Sequence, residues 1–85
     1  MIQISEGCRV LLRKLHNQKV IGGRHLPEAI CLKHIKTLPK AEHKAAINDW
    51  KWCIAEGLVL TKPKPDGRHV SLNPRRSEEI RLLIE

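Results

Sequence analysis

Between Pro39 and Gly57 the chain runs for seventeen residues without a glycine or a proline. The two ends of that run are residue types that begin and end a helix. Pro39 fits a first-turn position and pushes Leu38 before it out of the helical region. Gly57 supplies the left-handed cap. A helix over 39–56 is therefore predicted, with Ala46, Trp50, Cys53 and Ile54 on its apolar side. After Gly57 the period changes. Leu58 to Thr61 reads as a strand, Pro63 to Gly67 as a loop, and Arg68 to Leu72 as a second strand, with Asp66-Gly67 as the turn chemistry of a hairpin. Pro63 and Pro65 withhold backbone donors from the loop arm and discourage pairing with other chains.

The residues before Pro39 add two more helices. Ser5 is a candidate N-cap with Glu6 in the first turn, and Ile4, Cys8, Leu11, Leu12 and Leu15 form a stripe at helical spacing, giving a helix over about 5–17. Gly22 and Gly23 break the chain, and Arg24 to Leu26 reads as a short strand. Pro27 suits the first position of a second helix over about 27–36, followed by Glu28. Ile30, Cys31, His34 and Ile35 form the apolar side of that helix. Only Thr37, Leu38 and Pro39 separate it from the third helix, which is the spacing of a helix-turn-helix. Thr37 is the available cap for the third helix. Asn73 and Pro74 read as N-cap and N1 of a last helix over about 74–84.

Eighty-five residues are expected to form one domain, 1–85, with a modest core. Sixteen Lys and Arg against nine Asp and Glu give a formal charge of +7, which favours a polyanionic partner. There is no Phe and no Tyr, and Trp50 and Trp52 are the only aromatic residues of the Phe, Trp and Tyr class. Modules that grip single strands stack bases on several exposed rings, whereas a duplex read through its grooves requires none. Cys8, Cys31 and Cys53 are widely spaced and contain no C-x-x-C pair, so each is expected to act as a small core hydrophobe and no zinc site is expected. His16, His25, His34 and His43 recur every nine residues but are spread over separate elements, and no metal or other cofactor is expected. Met1 to Gly7 has neither the basic start nor the apolar core of a leader, and no apolar run is long enough for a membrane span. A cytoplasmic protein is expected.

The order helix, helix, tight turn, helix, glycine, hairpin resembles the winged helix-turn-helix family. The resemblance rests on AAINDWKWCIAEGLVLTKPKPDGRHVSLNP, from Ala45 to Pro74. It extends with the two preceding helices from Ser5 to about Leu72. It implies an α+β, mainly α fold with a three-helix core, a two- or three-stranded β-wing and a C-terminal helix. It also implies a third helix in the major groove of DNA and a wing, Lys62 to Arg68, on the minor groove or flanking backbone. Lys64 and Arg68 inherit that wing role. The chain departs from the family at Leu38-Pro39-Lys40, where a Ser or Thr cap is common, which puts the start of the third helix in question.

The polar side of that helix can be read without the family. At about 100° per residue, Lys40, Lys44, Asn48 and Lys51 fall together opposite Trp50 and Cys53, with Ala41, Ala45 and Ala55 among them. Small side chains let a helix backbone approach a groove, lysines reach phosphates, and an Asn amide pairs bidentately with adenine. A solvated face is the plain alternative. Trp52 belongs to the same outward sector, and packing under the last helix, contact with a sugar and a dimer interface all remain open for it. Lys62, Lys64, Arg68 and His69 surround the hairpin tip. Arg75 and Arg76 stand in the first turn of the last helix, where the macrodipole disfavours cations, so either an anionic ligand or pairing with Glu78 or Glu79 is implied. Arg24, with His25, stands before the second helix, whose free amides can hold a phosphate.

The expected function is therefore a duplex DNA-binding regulator of transcription or of a mobile element, with RNA a lesser partner. A protein-interaction module with a homodimer through Ile80, Leu82, Leu83 and Ile84, or a binder of structured RNA, is the alternative. No small-molecule ligand and no membrane partner are expected. Catalysis is not expected either. Asp49 and Asp66 are the only aspartates, Ser5, Ser71 and Ser77 fall at caps or in a strand, and there is no Gly-rich phosphate loop.

Overall fold

A computed structural model describes residues 3–85. In chain order the elements are α1 (Glu6–Asn17), β1 (Leu26–Pro27), α2 (Glu28–Lys36), α3 (Lys40–Ala55), β2 (Val59–Lys64), β3 (Gly67–Leu72) and α4 (Ser77–Ile84), the last preceded by a 3-10 turn, Pro74–Arg76. The class is α+β and mainly helical, with a small three-stranded antiparallel sheet. No helix among the described residues is long and apolar enough to cross a membrane. Residues 1–2, where the segment read for a leader begins, lie outside the described residues.

Ser5 caps α1 as its sequence suggests, its hydroxyl accepting the Cys8 N–H at 3.4 Å. The Ser5 N–H donates to Asp49 Oδ2 at 2.6 Å and so pins the start of α1 to the middle of α3. The two helices approach closely at Gly7, where a Cβ would stand 3.0 Å from Ala46 Cβ and closer still to Leu38 Cδ1. Leu11, Leu12 and Leu15 of α1 then meet Trp50 and Cys53 of α3 and Ile35 of α2 in one core. Ile80 and Ile84 of α4 complete it, both buried. Cys8, Cys31 and Cys53 are free thiols in this core. Cys8 and Cys53 face each other at 4.0 Å between sulfurs, and their contact together with burial pushes the Cys8 thiol far above its ordinary range.

Four expectations from the sequence are corrected. Pro27 is the N-cap of α2, not its first residue: its extended backbone (ψ 132°) places it in β1 opposite His69, and the strand falls at Leu26–Pro27 instead of beginning at Arg24. Thr37 does not cap α3, because its hydroxyl donates to the His34 carbonyl at 2.7 Å and closes α2, while α3 begins after Pro39 with no side-chain cap. Pro63 is not in the loop but inside β2, opposite Arg68, so the turn shrinks to Pro65 and Asp66. The strand order β1-β3-β2 explains both misplaced prolines, since each lies on an edge strand, where a missing donor costs no ladder bond. Finally, Ile30 of α2 is turned outward at 47% exposure instead of joining Cys31 and Ile35 inside.

The helix ends show one motif twice. At the end of α3 the Leu58 N–H donates to the Cys53 carbonyl at 2.9 Å and the Gly57 N–H to Ile54 at 3.1 Å, with Gly57 at φ 80°. At the end of α1 the Val20 N–H donates to Leu15 at 3.0 Å and the Lys19 N–H to His16 at 3.1 Å, with Lys19 at φ 57°. Both are Schellman closures, but the second asks a side-chain-bearing residue to hold a left-handed backbone. Across the domain two arginines also cap helix ends. Arg76 Nη1 donates to the Glu56 carbonyl at 2.8 Å after α3, and Arg13 Nη2 to the Ile84 carbonyl at 2.8 Å after α4.

One polar joint is built into the core. Trp50 is 2% exposed, and its indole N–H donates to Glu28 Oε2 at 2.8 Å. Arg68 of β3 closes on the same carboxylate, Nη2 to Oε2 at 2.6 Å and Nε to Oε1 at 3.2 Å. Burial pushes the Glu28 carboxyl upward, but the Arg68 guanidinium and the Trp50 N–H outweigh it, and the net shift is below the ordinary value of 4.5.

Gly57→Ala is expected to cost about 1 kcal/mol, and Lys19→Gly to gain a few tenths up to about 1 kcal/mol, from the same left-handed position. Thermal melts of the two variants should move in opposite directions. The native carboxyl of Glu28 holds its proton less tightly than the unfolded one, so its contribution is complete above about pH 4.5 and fades as pH falls through the lower native value. Glu28→Gln is therefore expected to cost about 1–2 kcal/mol at pH 7. Its deficit should narrow in denaturant titrations repeated toward pH 3; an undiminished deficit there would assign the loss to shape and not to charge.

Candidate nucleic-acid interface

α3 is divided lengthwise by its own sequence. Ala46, Trp50 and Cys53 are buried, while Lys40, Ala41, Glu42, Lys44, Ala45, Ile47, Asn48, Lys51 and Ala55 are exposed. At about 100° per residue the three lysines lie within roughly 40° of one another, and Asn48 lies beside them. Glu42, Asp49 and Glu56 fall within roughly 40° on the opposite side of the lysine sector. Asp49 is already engaged by the Ser5 N–H. The lysine sector is thus free of acids, although Glu42 and Glu56 are exposed on the other side of the helix. Lys40 also stands in the first helical turn, where the macrodipole disfavours a positive charge, and no ion pair offsets that among the described residues.

The hairpin contributes a second group. Lys62 is exposed and Lys64 half-buried on β2, and both lie near enough to His25 to hold its pKa below the ordinary 6.5, after burial as the larger cause. Arg24 is exposed next to His25, and neither Arg24 nor these lysines has an ion-pair partner among the described residues. His25 Nδ1 and His69 Nδ1 stand 2.9 Å apart with their rings edge to face, which requires one of the two nitrogens to carry the proton and the other to accept it. His69 Nε2 meets Asp66 Oδ1 at 3.3 Å, and this pairing holds the Asp66 carboxyl below its ordinary value. His69 is thereby a member of the hairpin's internal structure, 15% exposed, and not a free contact at its tip.

Two of the arginines singled out in the sequence are likewise occupied. Arg68 is bound to Glu28 and so fixes where the hairpin leaves the core. Arg76 meets Glu79 through Nε and Nη2, both at 2.6 Å, and caps Glu56. That pairing raises the Arg76 pKa and lowers that of Glu79. Of the two implications open for the arginine pair, pairing within the helix accounts for Arg76. Arg75 remains exposed, without an ion-pair partner among the described residues.

Trp52 leaves the outward sector in which helical spacing put it. It is half-buried and lines a cleft of about 560 Å³ with Leu58, Leu82 and Leu83, rimmed by Glu56, Arg76 and Glu79. It packs at the edge of the domain's own core and shares this cleft with the last helix. His34, expected at the edge of the core, is half-buried with Nδ1 3.1 Å from Lys14 Nζ; burial first and that lysine second depress its pKa. No group of three or more His, Cys, Asp or Glu suited to a metal occurs among the described residues.

Sequence reasoning missed Glu28 as the residue that orients the hairpin. Its partners lie 22 and 40 positions away, and only its place beside the Pro27 cap carried any local signal. Ile47, 38% exposed within the lysine arc, was also missed, although the same 100° projection that groups the lysines puts it at their border. Compared with protein-family models, with curated proteins and with solved structures, the chain matches none, and what it does has to be argued from this geometry.

Proposed function

We propose that this chain is a winged helix-turn-helix domain that binds duplex DNA and serves as a regulator of transcription or of a mobile element. α3 enters the major groove, and the β2–β3 hairpin rests on the flanking backbone. The element order α1-β1-α2-α3-β2-β3 and the strand order β1-β3-β2 support the family reading. So does the connection of three residues, 37–39, between α2 and α3. The observation that carries the function is the charge sorting around α3: three exposed lysines and an asparagine on one side, the three acids on the other.

A helix about 10–12 Å across fits a major groove about 12 Å wide, and sixteen residues span about 24 Å of it. The alanines keep the backbone near the groove floor while Lys40, Lys44 and Lys51 reach the phosphate walls. Lys62, Lys64 and Arg24 supply the flanking contacts. The deep, narrow major groove of A-form RNA excludes such a helix, which is why duplex DNA is preferred over RNA.

The alternative of a dimerisation or docking module draws on one observation, the cleft beside Trp52 with Leu82 63% exposed at its edge. The rest of the α4 stripe is committed to its own core through Ile80 and Ile84. Around Leu82 the outer face is charged, Glu79 paired with Arg76 and Glu78 and Glu85 with Arg81, so the apolar area left for a second copy is small.

Anisotropy titrations on a mixed-sequence duplex should give log K against log salt a slope of about −5 for six phosphate contacts. Lys44→Ala with Lys51→Ala should shorten that slope by about 2 and weaken all sequences alike. Asn48→Ala should cost about 1–3 kcal/mol on a preferred site only. A salt-independent isotherm, or an RNA hairpin outcompeting the duplex, would overturn the proposal. Sedimentation of the free protein addresses the alternative, which requires a dimer that Leu82→Ser dissolves.

A further inference from the structure

We infer that Ile47 is a base-reading residue for the C5 methyl group of thymine, so that the α3 site selects A·T pairs in DNA. The inference rests on the duplex reading above and names what that site distinguishes.

The outward arc of α3 holds only two kinds of side chain with anything to say about a base beyond charge: the amide of Asn48 and the branched aliphatic of Ile47. The remainder are lysines and alanines. Ile47 is 38% exposed, while the core members of the same helix, Ala46, Trp50 and Cys53, are 2% exposed or less. Its position follows from spacing. Lys44 and Lys51 stand three and four residues away and Lys40 seven, so Ile47 borders their arc on one face. No charge on that face pairs with these lysines among the described residues, and Ile47 is not among the hydrophobic residues packed against the core, so more than a third of its surface is left exposed.

Side-chain length then sorts the contacts by depth. Lysines extend well beyond an isoleucine and reach the phosphate walls. The short, branched Ile47 stays near the helix surface and meets the groove floor. The apolar group on that floor is the C5 methyl of thymine, since the other major-groove edges present hydrogen-bond donors and acceptors. Next to it, the Asn48 amide matches the N6 and N7 edge of adenine. Two adjacent residues thus offer complementary chemistry for A·T pairs. The same methyl occurs on 5-methylcytosine, but that base pairs with guanine and leaves Asn48 without adenine. Thymine is therefore the assigned source.

The test uses the intact chain and four alternating duplexes of equal length: dA–dT, dA–dU, dG–dC and dG paired with 5-methyl-dC. The protein should bind dA–dT about four-fold more tightly than dA–dU, the worth of burying one methyl group. Ile47→Ala, at a position outside the core, should remove that ratio. Lys44→Ala should weaken both duplexes and keep the ratio, whereas a ratio set by the altered shape of a uracil duplex would survive Ile47→Ala. Equal affinity for dA–dT and dA–dU overturns the inference and leaves the duplex reading standing. A ratio that survives Ile47→Ala overturns it as well. Tightest binding to the 5-methyl-dC duplex overturns the thymine assignment, and binding to none of the four overturns the duplex reading itself.

Discussion

Trp50 is the largest side chain in a core without Phe or Tyr, and its burial sets the conditions for the rest. An indole brings much apolar area inside but carries one N–H that cannot be left unpaired there. Glu28 accepts it, which brings a carboxylate to the edge of the core, where a lone charge is costly. Arg68 pairs with that carboxylate through two contacts, and Arg68 belongs to the hairpin. A single buried ring therefore fixes, in two steps, the start of α2, the rotation of α3 and the exit of the hairpin. The rotation matters most. With Trp50 held inward, the lysine sector of α3 has to face away from the domain.

The parts of this arrangement that depend on neighbours in sequence were legible beforehand. Ser5, the α1 stripe, the three residues between α2 and α3, the Gly57 closure and the lysine arc all follow from spacing and local backbone preference. What escaped was decided by partners far along the chain. Pro27 and Pro63 read as a helix start and a loop residue because their own chemistry fits those roles, and only the strand order, which puts both on edges, admits them to a sheet. Arg68 and Arg76 looked available for a ligand because Glu28, Glu79 and the Glu56 carbonyl had not yet been brought beside them. Trp52 sits at an outward helical angle, and only the tertiary fold brings the core edge and the cleft shared with α4 beside it.

A division of labour between the two cationic residue types results. Arg9, Arg68, Arg76 and Arg81 are paired with acids, and Arg13 caps α4, so arginine mostly builds the domain. No lysine takes part in an ion pair among the described residues. The physical difference between the groups fits this use. A planar guanidinium holds a carboxylate in fixed geometry, whereas a lysine ammonium is a well-hydrated point charge on a flexible stem, suited to following a phosphate backbone. The free positive charge of the fold is thus concentrated in side chains that attract a polyanion without imposing an orientation on it.

That choice bears on how finely such a surface can discriminate. α3 contains no arginine, so the bidentate reading of guanine that most often supplies specificity in a major groove is not available from it. On the reading proposed here, base selection falls to Asn48, worth about 1–3 kcal/mol, and to one methyl contact, worth about 0.8 kcal/mol. Together they fall at or below the lower end of the roughly 4–10 kcal/mol that separates specific from non-specific sites. A single α3 therefore reads a short A·T element on a background of salt-dependent affinity. A longer address on DNA requires a second recognition helix on the same duplex, at a spacing set by the helical repeat.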